Sequence, residues 1–179
     1  MLIAPDEEIT SWRLSPSGLM RARHFSESKV LSNVSAIWSS AERKAVETAQ
    51  CLSNRSALKI QIDPRLGEND RSATGFLPPE DFERAADAFF ADPDQSIHGW
   101  ERALDAQKRI TSALRDITTT HPGGDLAIVS HGAVGTLLWC HLMGFPISRA
   151  YDQHSQGHYW TAPLSDLRPR SSWRSIGSF

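Results

Sequence analysis

Two short apolar runs in this chain end in polar residues and pass, without a spacer, into helical patterns. Val34 to Trp38 leads into Ser39-Ser40-Ala41-Glu42-Arg43. Leu126 to Val129 leads into Ser130-His131-Gly132. Each is a strand–turn–helix unit, because a compact apolar run reads as a buried strand and the residues beyond it repeat at helical spacing. Ile60 and Ile62 mark a further short strand before Asp63-Pro64. Strands alternating with helices predict an α/β domain, with helices on both faces of a mainly parallel sheet. Such sheets bind ligands at the carboxyl ends of their strands, where both polar motifs fall.

The remaining elements fit that plan. Ser15 is placed to cap a helix, with Pro16 at its first position. Ser39-Ser40-Ala41-Glu42 has the form of a capping box, and Ala41, Ala45, Thr48/Ala49 and Leu52 share one side of the helix that follows. Helices are expected from Pro79 to Phe90, from about Trp100 to Ile117, and from Gly132 to Met143 or Gly144. His158 to Thr161 reads as a last strand.

At 179 residues with no repeat, the chain is expected to be a single domain, 1–179. A formal charge of -2 gives no support to nucleic acid or an anionic membrane as partner. No apolar run approaches the ~18 residues of a spanning helix. The amino end lacks a signal-peptide pattern, and Cys51 and Cys140 sit in apolar helical patterns as reduced, buried thiols. A cytoplasmic protein is expected. The seven histidines show no tight metal-ligand spacing.

Three residues carry candidate chemistry. Arg43, near a helix N-terminus, suits a phosphate through forked hydrogen bonds, or else it pairs with Glu47 one turn on. His131, between a strand and Gly132, suits a charged hydrogen bond or proton shuttling, or else it is a satisfied strand-end histidine. Glu68, in Leu66-Gly67-Glu68-Asn69-Asp70-Arg71, suits general acid–base work, or else it is a solvated loop carboxylate. Phe76, Pro78, Phe82, Phe89 and Trp100 form either a cap over the site or part of the core.

Taken together, Leu14-Ser15-Pro16-Ser17-Gly18, Trp38 to Arg43 with Thr48-Ala49, Leu66-Gly67-Glu68, and Val129-Ser130-His131-Gly132 resemble the histidine phosphatase superfamily, also called phosphoglycerate mutase-like. The resemblance spans roughly residues 14 to 145. It implies a three-layer α/β sandwich with a mainly parallel central sheet and no obligatory cofactor. It implies that Arg43 and His131 hold a transferring phosphoryl group, that Glu68 protonates the leaving oxygen, and that Ser39 or Ser40 frames the pocket. A small-molecule or protein-borne phosphate ester is the expected partner, and self-association into a homodimer is left open.

Members of this family carry an N-terminal strand ending in an Arg-His-Gly-type motif, whose histidine is the nucleophile. Here Leu14-Ser15-Pro16 is preceded by no histidine, and the first, His24, falls inside the expected first helix. The domain is therefore expected to lack that strand, with residues 69–100 as a substrate-cap insertion. The expected function is a phosphomonoester phosphatase acting through phosphohistidine when the upstream nucleophile is present. The alternative is a catalytically inactive module that binds a phosphorylated ligand, and a structural domain is the third reading.

Overall fold

The computed structural model describes residues 1–177, so the last two positions of the expected domain lie outside the described residues. The chain forms α1 (Pro16–Phe25), β1 (Val34–Ser39), α2 (Arg43–Ser56), β2 (Ile60–Ile62), α3 (Pro79–Ala91), α4 (Ala103–Thr120), β3 (Asp125–Val129), α5 (Gly132–Met143), β4 (His158–Tyr159) and β5 (Arg174–Ser175). Strands β2, β1 and β3 form a parallel sheet in that order, and β4 pairs antiparallel with β5. This is the expected three-layer α/β architecture.

Alternation along the strands builds the layers, since successive side chains point to opposite faces. Ile37, Ala127 and Val129 pack with Ala22, Ala49 and Leu52 of α1 and α2. Trp38, Leu126 and Ile128 pack on the other face with Ile110, Leu114, Val134 and Leu137 of α4 and α5. Phe89 and Trp100 lie in this second core, each almost fully buried, while Phe82 is only partly covered. Both cysteines are buried and free.

Helix α1 begins as its sequence predicts, with Ser15 Oγ accepting the Gly18 amide at 3.1 Å. Helix α5 ends at Gly144, whose φ of 71° suits a residue without a Cβ. The expected capping box on α2 does not form. Strand β1 continues through Ser39, so the helix begins at Arg43 with Glu42 as its N-cap. The Glu42 carboxylate turns inward instead, where another loop offers it an amide. Helix α4 likewise starts at Ala103, leaving Trp100 before it.

Strands β2 and β3 are the edges of the parallel sheet, and among the described residues no strand pairs with the outer side of β3. A cavity of about 1010 Å³ is lined by Leu126 to Val129 of β3 and by His158 to Thr161, together with Val34, Asp125, Lys44, Glu68, His131 and Met1.

Candidate active site

Register brings the two polar motifs together. Ser39 lies opposite Val129, and the Ser40 amide donates to the Val129 carbonyl at 3.0 Å. The carboxyl ends of β1 and β3 therefore stop side by side. Ser40 Oγ stands 2.7 Å from His131 Nε2, and Glu42 Oε1 is 3.3 Å from the same nitrogen. Ser39 and Ser40 are fully buried.

The Glu68 loop is held over these ends by several bonds. The Glu68 amide donates to Glu42 Oε1 at 2.7 Å, and Ser130 Oγ donates to the Leu66 carbonyl at 2.7 Å. Arg109 of α4 donates to the carbonyls of Arg65, Gly67 and Glu68, and its guanidinium also pairs with Glu101. The Glu68 carboxylate accepts from the Val134 amide at 3.1 Å and the Ala133 amide at 3.4 Å. It thus sits on the open N–H groups of α5, where negative charge is favoured. The Gln153 carboxamide packs over Gly132, at the point where a Cβ would stand.

The structure brings His131 and Glu68 together, but not Arg43. The Arg43 side chain is 47% exposed and its Nε donates to Glu47 Oε1 at 3.2 Å. Its neighbour Lys44 points inward, is 13% exposed, pairs with Glu42 and lines the cavity. Consecutive helical residues diverge by ~100°, so the starting residue of α2 decides which cation faces the site. Lys44, Glu42 and Arg109 were not among the site residues expected from sequence. Lys44 lies three residues after Ala41 and four before Thr48, at the border of the face that predicted burial, which is the one local signal that pointed to it. His24 lines a separate surface depression beside Phe25 and Tyr159.

Burial dominates the electrostatics. It pushes the His131 imidazole below its ordinary value, against the pull of Glu68 and Glu42. Burial opposes the charge on Glu42 as well, yet His131, Lys44 and the Glu68 amide together hold its carboxyl below the usual range. Asp152, which accepts from Thr136 Oγ1 at 2.8 Å and also lines the cavity, is raised by burial.

The depression of the His131 imidazole has a consequence for stability. The unfolded chain protonates this imidazole below its ordinary value of 6.5, whereas the folded chain resists protonation. Its contribution is complete above that value and lost as pH falls below it, at a slope approaching ~1.4 kcal/mol per pH unit. Denaturant unfolding between pH 7 and 5 is expected to show a shallower loss for His131→Asn than for the wild-type chain. Parallel curves would overturn this.

The profile of the histidine phosphatase superfamily, branch 1, matches residues 8–162. The chain belongs to this family. Solved structures agree on the fold. A mycobacterial glucosyl-3-phosphoglycerate phosphatase in complex with inorganic phosphate superposes with a TM-score of 0.77 at 21% identity, covering 96% of this chain and 92% of that one. Phosphoserine phosphatase from Entamoeba histolytica, in complex with 3-phosphoglyceric acid, gives a TM-score of 0.73 at 17% identity, with 94% and 87% covered. A search of curated proteins finds no match. Among the described residues, no three His, Cys, Asp or Glu side chains group as a metal-ion set, and no helix is long and apolar enough to cross a membrane.

Proposed function

We propose that this domain is a phosphomonoester phosphatase in which Lys44 and His131 hold the phosphoryl group and Glu68 hands a proton to the leaving oxygen. The observation that carries the reading is the convergence of Lys44, Glu68 and His131 on one cavity at the joined carboxyl ends of β1 and β3. Cationic and N–H donors around a phosphoryl group stabilise the charge that develops during its transfer. Ser40 and Glu42 orient the His131 imidazole from beneath. Arg43, paired with Glu47 at the surface, takes no part in this arrangement. Residues 69–100 supply one wall, through Asn69, Arg71 and Phe82.

The nucleophile in this reading is a histidine on an extended segment lying in the slot between β3 and β4. The slot supports that assignment by its shape. An edge strand exposes a row of unpaired N–H and C=O groups, and this row leads directly to His131. The Met1 amino group lies close enough to Lys44 and Arg21 to feel their charges. A segment joined to Met1 would therefore deliver its last residues beside the phosphoryl site. The relatives named above as phosphatases are consistent with this chemistry.

Vanadate, a phosphoryl mimic, tests the pocket in the chain as it stands. Calorimetric titration is expected to show binding that weakens at least tenfold in His131→Ala. Binding that is absent, or equal in the two proteins, would sink the proposal. Binding by this chain without turnover on any phosphomonoester, persisting once a histidine strand is supplied, would favour the inactive binding module.

A further inference from the structure

Two cations open α2, and two carboxylates sort them. Glu47, one turn along the helix, takes Arg43 on one oxygen and the Leu14 amide on the other, at 3.2 and 2.8 Å. Glu42 takes Lys44 on the inner side. Glu42 is the N-cap of the helix, yet its side chain caps no amide of α2. It turns inward and is 8% exposed. Its Oε2 accepts from Lys44 Nζ, while Oε1 accepts the Glu68 amide at 2.7 Å and stands 3.3 Å from His131 Nε2. Lys44, Glu68 and His131 line the cavity, whereas Glu42 lies behind them, outside the lining.

A buried carboxylate is costly unless a cation and N–H donors meet it. Glu42 has both, so its burial fixes where both partners stand. An ammonium has three donors. Lys44 directs one to Glu42 and one to the Ile9 carbonyl at 3.4 Å, which among the described residues leaves one for a ligand in the cavity. A lysine stem is flexible, and without an anchor its head group reaches for water. The same carboxylate holds the Glu68 amide, in the loop whose side chain sits on the first turn of α5. One side chain thereby sets the position of the cation relative to the acid.

We infer that Glu42 is a positioning residue, which holds the Lys44 ammonium at the cavity wall and ties it to the backbone of the Glu68 loop, so that cation and acid meet one phosphoryl group from fixed directions. The inference rests on the phosphoryl site proposed above. The sign of the effect is distinctive. A carboxylate acting through its charge alone repels an anionic ligand, so its removal would tighten binding. A carboxylate acting through Lys44 supports the ligand, so its removal weakens binding.

The test titrates vanadate calorimetrically into the wild-type chain, Glu42→Gln, Lys44→Met and the double variant. Glutamine keeps an acceptor for the Glu68 amide and loses the charge that holds Lys44. Each single change is expected to weaken vanadate about tenfold or more, and the double variant to lie within about threefold of Lys44→Met, because residues that act as a unit are not additive. His131 supplies a readout that loosened packing would move the other way. Burial holds its imidazole low, and Glu68, Glu42, Lys44 and Arg71 are the charged groups that face it. Loss of the Glu42 charge from an intact site is expected to lower the His131 titration midpoint further by NMR, whereas a loosened site would let it rise toward 6.5. If Glu42→Gln fails to fold, Glu42→Asp decides. It keeps the charge but is one methylene short of its partners, and should weaken vanadate about threefold or more. Unchanged or tighter binding in the Glu42 variant, losses that multiply in the double variant, or a His131 midpoint that rises would overturn the role of Glu42 while leaving the phosphoryl site standing. If the wild-type chain binds neither vanadate nor inorganic phosphate, the phosphoryl site falls and this role with it.

Discussion

Joining an apolar extended segment of about six residues that ends in histidine to Met1 is expected to stabilise this protein and switch on phosphomonoester hydrolysis. The length follows from the slot. The five residues of β3 offer a matching length of backbone for parallel pairing. Two or three apolar side chains buried in the slot contribute roughly 1.5–3 kcal/mol each before the cost of ordering the segment. A net gain of several kcal/mol raises Tm by roughly 10 °C or more at this size. Turnover of p-nitrophenyl phosphate is expected to rise at least ~100-fold, since a positioned nucleophile replaces one difficult step with two easier ones. Replacing the added histidine by alanine should keep the rise in Tm and abolish the turnover. An unchanged Tm would refute occupancy of the slot. A raised Tm with no turnover on any phosphomonoester would refute the nucleophile assignment.

In that extended protein, Glu68→Gln is expected to slow an alkyl phosphate by ~10²- to 10⁴-fold, the range of a lost general acid. The same change should slow p-nitrophenyl phosphate less than tenfold. The nitrophenolate leaves without a proton, whereas an alkoxide does not. His131→Ala removes a donor to the transferring group itself, so both esters should slow by ~10²- to 10³-fold. Comparison of kcat for the two esters in each variant separates the roles. Equal losses on both esters in Glu68→Gln would rule out proton donation. Glu68 also holds the first turn of α5 through the Ala133 and Val134 amides. Glutamine keeps an oxygen for one of those amides, which limits the structural disturbance.

Much of this site is legible in a single sequence because its parts are local. A four-residue apolar run ending in Ser130-His131-Gly132 places a histidine at a strand end and a helix start, wherever the strand lies in the sheet. Ser39 and Ser40 follow from β1 in the same way. Glu68 is harder to read, since a loop carboxylate has no periodicity. Its place at the first turn of α5 emerges only when Glu42, Ser130 and Arg109 are seen to hold that loop. The aromatic residues of 69–100 were ambiguous between cap and core. Phe89 and Trp100 lie in the core, and Phe82 stands at the cavity beside Arg71.

Residue spacing alone sufficed for the alternation of strands and helices and for placing His131 at a strand end, since both are set within one element or one turn. The orientation of Lys44 toward the cavity and of Arg43 toward water came from the tertiary fold. That choice follows from the N-cap of α2 falling at Glu42, three residues beyond Ser39, and it depends on where Glu42 finds its partners. The anchoring by Arg109 and the open slot beside β3 are likewise tertiary. Each is set by what distant segments do or do not place against a given atom, and the order of residues along the chain carries no direct record of that.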